Sequence, residues 1–259
     1  MSKVIAVANQ KGGVGKTSVV VNLGIGLARS GHRVLLIDAD PQGSLTISLG
    51  NKEPDKLSRT ITEVLMNILR EESVDDYGIL HHSEGVDYVP ANIELANLEV
   101  TLVNSLCREY VLKKYVELVR LDYDYILIDC MPSLGMMTTN ALACADSVLI
   151  PVQASYLSVK GLLQLERTIT RVRSFLNEQL YIEGIVINLY DCRTNYARDI
   201  SQSIAHVYDE RVYVFKTIIP SSVRVAESSA AGQSIFLYDP TGKATEAYLS
   251  LLKEVRDHE

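Results

Sequence analysis

The sequence is poor in positive charge. Against 32 acidic residues it has 25 lysines and arginines, which gives a formal net charge of −7 at pH 7. This net charge argues against a protein whose whole surface binds nucleic acid or acidic membrane. It is compatible with a local basic patch.

Cysteine is scarce as well. The four cysteines, Cys107, Cys130, Cys144 and Cys192, lie far apart and form no C-x-x-C pair. The spacing therefore indicates neither a zinc ribbon nor a paired-cysteine cluster site. We expect four reduced thiols.

Long hydrophobic runs are also missing. The N-terminal stretch MSKVIAVANQ has one lysine and an apolar run too brief for a signal peptide or a spanning helix. We expect a cytoplasmic protein. No internal repeat, low-complexity tract or long linker divides the chain, so residues 1–259 are expected to form a single domain.

The sequence alternates between strand-like and helix-like segments. Short apolar runs rich in β-branched residues are typical of strands covered on both faces, and they occur at 4–9, 34–38, 86–90, 125–130, 147–152, 184–189 and 214–219. Segments with helical spacing lie between them, at 18–30, 95–121, 157–176, 195–208 and 241–256. The alternation predicts an α/β fold, a mostly parallel twisted sheet with helices on both faces.

A glycine-rich loop, QKGGVGKTS, connects the first strand to the first helix. Its glycines let successive backbone N–H groups turn towards phosphate oxygens, and the helix that follows presents its positive end. Lys16 is expected to bridge the β- and γ-phosphates, and the Thr17 hydroxyl to coordinate Mg²⁺. The predicted nucleotide contacts of the loop itself are Gly12, Gly13, Val14, Gly15, Lys16, Thr17 and Ser18.

The start of this loop is unusual. The pattern G-x-x-x-x-G-K-[ST] would have its first glycine at position 10, where this chain has Gln10, and Lys11 adds a second lysine five residues before Lys16. Composition alone favours a solvent-exposed loop lysine at position 11. Only the motif around it indicates a function.

Carboxylates follow two of the predicted strands. Asp38 and Asp40 come after VLLI, and Asp129 comes after YILI. Aspartates at the carboxyl ends of parallel strands lie at the ligand edge of the sheet, where they can hold a magnesium-bound water. Asp40 precedes Pro41 and could instead start a turn, but three carboxylates on two strand ends favour the metal site.

Taken together, KGGVGKTS, LLIDADPQGSLT and LIDCMPSLG resemble the deviant Walker A ATPases of the ParA/Soj partition type, relatives of the MinD group. The similarity continues through VPANIELA, VLIPVQASYLSVKGL, TIIPSSVRVAES and SIFLYDPTGKATEAY, so it covers almost the whole chain. The resemblance implies a P-loop NTPase fold of the deviant Walker A type, with ATP and Mg²⁺ as cofactors.

The resemblance also implies roles for the charged residues. In these ATPases the extra lysine, here Lys11, reaches across a dimer interface to the phosphates of the other subunit, and it acts with Lys16. A triphosphate between two subunits brings negative charge into a poorly hydrated interface, which a cation from each partner neutralises. Asp40 matches the residue that orients or activates the attacking water. Asp38 and Asp129 match the groups that hold magnesium through water.

The resemblance also implies which residues contact the adenine base and how fast ATP is hydrolysed. Asn188 resembles the residue that reads the adenine edge, and the segment after Pro220 is expected to close over the base. Because phosphoryl transfer depends on charge placement, one missing positive group keeps turnover low until a partner supplies it. We therefore expect slow basal hydrolysis of ATP to ADP and phosphate, stimulated by a ParB-like protein.

Non-specific double-stranded DNA is the other implied partner, held by the ATP-bound homodimer through phosphate contacts that weaken with salt. The candidate contacts are Arg193, Arg198, Arg224 and Lys243. Ser221 stands where relatives commonly have arginine, which leaves the DNA affinity open. We expect nucleoid association, and no operator-specific repression because no helix-turn-helix precedes Val4.

Two alternatives remain. One is a MinD-like or cargo-positioning ATPase that acts on a membrane or protein scaffold without DNA. The C-terminal stretch ATEAYLSLLKEVRDHE is mixed in charge, so stable membrane binding is not expected. The other is a metal-cluster or cofactor-maturation ATPase, which the lack of paired cysteines disfavours.

Overall fold

The computed structural model describes residues 2–208 and 211–258, and their side chains apart from those of residues 157, 159 and 160. Its strands are β1 (Lys3–Val7), β2 (Val34–Ala39), β3 (Leu80–His81), β4 (Asp87–Val89), β5 (Tyr125–Cys130), β6 (Ser147–Gln153), β7 (Tyr181–Tyr190) and β8 (Val214–Pro220). They form one eight-stranded sheet in the order β3-β4-β2-β5-β1-β6-β7-β8. Every neighbouring pair is parallel except β3 with β4, which is antiparallel.

The α-helices are α1 (Lys16–Arg29), α2 (Ser44–Ser48), α3 (Ile61–Leu69), α4 (Glu94–Val103), α5 (Val111–Val119), α6 (Met136–Cys144), α7 (Tyr156–Phe175), α8 (Asn195–Tyr208), α9 (Val223–Ala231), α10 (Ile235–Tyr238) and α11 (Lys243–Asp257). Short 3-10 helices occupy Pro54–Lys56 and Arg120–Asp122. Each helix in the described ranges is too short or too polar to span a bilayer.

Two apolar cores lie on opposite faces of the sheet, because side chains along a strand alternate between its faces. In β1, Val4 and Ala6 enter the core under α3 to α8, whereas Ile5 and Val7 enter the core under α1 and α11. Strands that are apolar at every position therefore serve both cores. This arrangement confirms the predicted α/β fold with a mostly parallel sheet and helices on both faces.

The helix predicted at 95–121 is wrong in one respect, because the structure divides it into α4 and α5. The chain leaves α4 at Asn104, and Cys107 has a left-handed φ of 52°. Asn140 of α6 then accepts the Leu112 N–H at the start of α5 and donates to the Arg108 carbonyl. The apolar pattern continues across this break, so periodicity alone could not reveal it.

Several elements escaped the sequence patterns altogether, namely α2, α3, α6, α9, α10 and the two-residue strand β3. For α3 a signal existed. Thr60 and Glu63 form a capping box in which the Glu63 carboxylate accepts the Thr60 N–H at 2.7 Å. A Thr followed three residues later by Glu is the expected signature of such a start. All four cysteines are unpaired in the structure, with Cys130 and Cys144 buried, as expected.

Helix α11 covers the outer edge of the sheet at β8. The Glu254 carboxylate accepts the backbone N–H groups of Lys216 and Thr217 at 2.6 and 3.0 Å, and the Tyr213 hydroxyl at 2.8 Å. Burial alone would raise the pKa of Glu254, but these donors outweigh it and the pKa lies below its usual value. One side chain thereby satisfies edge groups that would otherwise be open to another strand.

Replacing Glu254 with alanine should lower the free energy of unfolding by about 1 kcal/mol or somewhat more, since three donors lose their acceptor. A lowered folded-state pKa stabilises the protein above the unfolded-state pKa and ceases to do so as the pH falls through the folded-state value. The loss should therefore be larger at pH 7 than at pH 4, measured by urea denaturation. Glu246→Ala, on an exposed site of α11, is the control and should change stability by less than about 0.5 kcal/mol. Equal losses of stability for Glu254→Ala at the two pH values would show that the carboxylate charge is not involved.

Candidate nucleotide and magnesium site

The site lies at the carboxyl ends of the three central strands. Asp38 of β2 and Asp129 of β5 are register partners on neighbouring strands, and Asp129 also pairs with Val7 at the end of β1. β1 leads directly into the glycine-rich loop. Because parallel strands end at one edge, residues 91 positions apart in the chain meet beside this loop.

The loop needs glycine at two positions. Gly13 and Gly15 have left-handed φ values of 70° and 83°, and α1 begins directly afterwards at Lys16. A Cβ added at Gly15 would lie 2.3 Å from Nδ2 of Asn188. Both the backbone conformation and the close approach of that amide therefore exclude a side chain at position 15.

Lys16 is the buried cation of the site, with only 7% of its surface exposed. Burial lowers the pKa of its amine, and the carboxylates of Asp129 and Asp40 oppose that shift. A buried ammonium is stable when it has such partners. The side chain therefore lies where the negative charge of the site is concentrated.

Asp38 and Asp129 are the buried carboxyl groups of the site. Asp38 Oδ2 accepts the Thr46 N–H at 2.9 Å and the Thr46 hydroxyl at 2.7 Å, while burial raises its pKa to about 6. Asp129 Oδ2 accepts the Thr17 hydroxyl at 2.6 Å. Burial, together with the neighbouring Asp38, raises the pKa of Asp129 to about 8. Among the described side chains, Lys16 is the one buried lysine near these two groups.

The polar atoms around Asp129 fit a magnesium ion. Its Oδ1 is buried and has no hydrogen-bond partner within the described part of the chain. In residues 2–208 and 211–258, no group of three or more His, Cys, Asp or Glu side chains could hold a metal by itself. Mg²⁺ commonly keeps several waters and takes only one or two carboxylates together with phosphate oxygens. The residues that would hold it are Thr17, Asp38 and Asp129.

Asp40 lies at the mouth of the site and is only partly buried. Its N–H donates to Asp38 Oδ1 at 3.2 Å, and its own Oδ1 accepts the Gln42 N–H at 2.9 Å. The side chain thus forms the turn that the alternative interpretation expected. Asp40 forms this turn next to the two buried carboxyl groups. It is therefore both a turn residue and a neighbour of the site.

Lys11 occupies a different position from Lys16. Its backbone N–H donates to Asn9 Oδ1 at 2.9 Å, and its Nζ lies 3.0 Å from Ser155 Oγ, 3.2 Å from Ser158 Oγ and 3.4 Å from Gln153 Oε1. These three acceptors, which we call the Lys11 cradle, lie where β6 gives way to α7. All three acceptors are neutral groups.

Asn188 supports the loop from the end of β7. Its Nδ2 donates to the carbonyls of Val14 at 2.9 Å and Gly15 at 3.4 Å, and its Oδ1 accepts the Leu189 N–H. The residue is 1% exposed, so a base could reach little more than one lone pair of Oδ1. The predicted adenine contact stays a prediction, and the observed contacts give the amide a supporting role that sequence reasoning missed.

The structure brings Pro220 and Lys243 together, although we assigned them to adenine and to DNA. Both line a surface groove of about 400 Å³, with Tyr190 and Ile218 among its other walls. The Ser221 N–H donates to the Tyr190 carbonyl at 3.0 Å and joins the segments that follow β7 and β8.

The other candidate DNA contacts are exposed, and two of them already have partners in the chain. Arg193 makes two hydrogen bonds to Asp191, at 2.8 and 2.9 Å, and lowers the pKa of Asp191 to about 2. Arg224 lies 3.1 Å from Glu227. Arg198 is exposed on α8. Phosphate binding by either of the paired arginines would have to compete with its carboxylate.

These features define a class of protein: a P-loop nucleotide-binding protein with two lysines in its loop. A family model described as AAA domain matches residues 2–182. The sporulation initiation inhibitor protein Soj of Bacillus subtilis is 44% identical over 255 residues, which is 98% of each chain. The chromosome partitioning protein ParA of Caulobacter vibrioides is 40% identical, over 99% of this chain and 95% of its own. The chain belongs to the ParA/Soj family of partition ATPases.

Solved structures agree with this fold. Cobyrinic acid a,c-diamide synthase from Mycobacterium smegmatis, with bound ADP and magnesium, superposes with a TM-score of 0.86 at 37% identity, over 100% of this chain and 95% of its own. A Cyanothece McdA variant in complex with ATP gives a TM-score of 0.85 at 22% identity, over 99% of this chain and 96% of its own. The second similarity concerns the fold alone.

The raised pKa values predict that the nucleotide-free protein loses stability with rising pH. A group whose pKa is higher in the folded state stabilises that state below its unfolded-state pKa and ceases to do so as the pH rises through the folded-state value. Asp129→Asn removes one such group. In EDTA, its stability relative to wild type should rise by the order of 1 kcal/mol between pH 5 and pH 8, measured by urea denaturation. Asp199→Asn, at an exposed site on α8, is the control, and a difference for Asp129→Asn that does not change with pH would contradict the burial argument.

The contacts of Asn188 predict how its loss affects nucleotide binding. Asn188→Ala should weaken ATP and GTP by the same factor, about tenfold or more, since the loop that holds the phosphates loses its support. Titration of both nucleotides measures this, and Asn195→Ala, an exposed site at the start of α8, is the control. A loss confined to ATP would instead favour adenine reading by this amide.

Proposed function

We propose that this protein is an ATP-dependent dimerising switch that binds double-stranded DNA without sequence preference and acts in chromosome, plasmid or mobile-element partition. The observation that carries the proposal is the glycine loop with Lys16 buried beside Asp129, whose register partner on the neighbouring strand is Asp38. ATP and Mg²⁺ as cofactors agree with the 36% identical Mycobacterium smegmatis structure, which has a bound ATP analog and magnesium.

The buried residues have distinct tasks in this proposal. Lys16 offsets part of the negative charge of the β- and γ-phosphates. Thr17 and Asp129 offer oxygen atoms to the metal, and Asp38 is fixed beside them by its two bonds from Thr46. When bound, Mg²⁺ supplies positive charge that stabilises the phosphoryl oxygens. Asp40 orients the attacking water from the mouth of the site.

Lys11 makes pairing depend on ATP. Among the described residues, the acceptors within hydrogen-bond distance of its Nζ are all neutral. In the proposed dimer it instead meets the triphosphate of the partner subunit, where opposite charge in a poorly hydrated interface gives it a stronger contact. Without ATP that contact does not exist. The nucleotide therefore shifts the equilibrium towards the dimer.

Two partners complete the proposal. A ParB-like protein supplies the positive group that raises an otherwise slow hydrolysis. DNA phosphates bind at the exposed arginines near the ends of β7 and β8, and each released counterion makes binding weaker in salt. Arg193 must leave Asp191 to take part, which favours modest affinity.

Three variants separate these tasks. Lys16→Ala should abolish tight ATP binding. Lys11→Ala should weaken dimerisation about tenfold or more, while ATP capture changes little. Asp40→Ala should accumulate the ATP-bound dimer because hydrolysis is slowed. Isothermal titration measures capture, and sedimentation with ATP measures pairing. Lys52→Ala, at an exposed surface lysine, is the control and should match wild type. A monomeric Asp40→Ala protein in ATP would contradict the assignment of Asp40 to hydrolysis.

The same proteins test DNA binding. Wild type should shift non-specific duplex DNA in ATP at low salt, the shift should fade as salt rises, and Lys11→Ala should shift it poorly because it pairs poorly. Absence of any shift at low salt with ATP would remove DNA from the proposal. A cargo-positioning ATPase on a membrane or protein scaffold would then be the better interpretation.

A further inference from the structure

The Lys11 cradle accounts for every donor of the second lysine. An ammonium group has three N–H bonds, and Lys11 Nζ lies within 3.4 Å of three oxygen acceptors, Ser155 Oγ, Ser158 Oγ and Gln153 Oε1. With all three donors used inside the chain, the group cannot also contact a phosphate of another subunit. The position seen here and a position across an interface therefore exclude each other.

The cradle itself is well fixed. The two hydroxyl groups lie 2.8 Å apart, and Ser158 is fully buried. Backbone bonds hold the turn, from the Ser155 N–H to the Gln153 carbonyl at 2.7 Å and from the Ser158 N–H to the Ser155 carbonyl at 3.0 Å. On the other side, Asn9 ties the loop to β6 by donating to the Pro151 carbonyl at 2.7 Å. Both halves of the contact are anchored to neighbouring strands.

The same cradle holds the lysine only moderately. Hydrogen bonds to neutral hydroxyl and amide oxygens are weaker than those to a carboxylate or phosphate. The ammonium also lies beside Ser155 and Ser158, at the first turn of α7, where the helix dipole is positive and disfavours a cation. A triphosphate is the stronger partner, so it can draw the lysine away.

We infer that Gln153, Ser155 and Ser158 are positioning residues that hold Lys11 in the free monomer and thereby oppose its transfer to the partner's nucleotide. The cradle sets how readily ATP-bound molecules pair, because each subunit must give up these hydrogen bonds before it can supply its lysine. This inference rests on the proposed cross-subunit role of Lys11.

The first test measures the docked state in the nucleotide-free monomer, where pairing plays no part. Acylation of lysine amines by a succinimidyl ester, followed by mass spectrometry, should modify Lys11 at least threefold more slowly than the exposed Lys52. Ser155→Ala/Ser158→Ala should remove this protection. Ser174→Ala/Ser203→Ala, which deletes two exposed helix hydroxyls, is the control. Equal Lys11 reactivity in the cradle variant and wild type would overturn the docked state.

The second test measures pairing by sedimentation with a non-hydrolysable ATP analogue. The cradle variant should dimerise about threefold to tenfold more tightly than wild type, while its affinity for ADP stays the same. In a Lys11→Ala background the two serine substitutions should have no effect on pairing, since no side chain remains for them to hold. Unchanged or weaker dimerisation of the cradle variant would overturn the inference.

These outcomes separate the two proposals. If Lys11→Ala pairs as tightly as wild type, the cross-subunit role fails and the inference that depends on it fails too, although acylation still reports whether Lys11 is docked. If Lys11→Ala pairs poorly but the cradle variant pairs like wild type, the cross-subunit role stands and the cradle has no control over it.

Discussion

The structure depends on one unfavourable electrostatic contact, the pairing of Asp38 and Asp129 on adjacent central strands. Both carboxyl groups are almost fully buried, and Asp38 raises the cost of ionising Asp129. The fold surrounds them with two threonine hydroxyls and one buried ammonium, which offsets only part of that cost. A site with this imbalance gains most from a ligand that carries a divalent cation.

The two lysines of the loop use opposite physical strategies. Lys16 is buried among carboxylates and lies in place before any ligand arrives, which removes the cost of ordering it later. Lys11 is only partly buried, has neutral partners and is held by a different segment of the chain. Five residues of separation in the sequence thus place the two lysines in distinct surroundings, one among carboxyl groups and the other among neutral acceptors.

Much of the fold and of the candidate site could be predicted from the sequence. The features that could not be predicted depend on contacts between segments far apart in the chain. Continuous apolar runs identified the buried parallel strands, and the glycine loop identified the phosphate edge, because both signals are local. The break between α4 and α5 was missed since the partner that caps α5, Asn140, belongs to a helix further along the chain. The support of the loop by Asn188 was missed for the same reason, as was the bond from Thr46 to Asp38. Side-chain contacts between distant segments leave no periodicity to detect.

The two ends of the sheet also differ from its middle in a way that matters for self-association. On one side the outermost strand, β3, has two residues and runs against its neighbour, and on the other side Glu254 occupies backbone donors of β8. Neither margin offers a long open ladder to a second chain. Copies of this protein are thereby discouraged from fusing through continuous sheets, the irreversible route that leads to fibres.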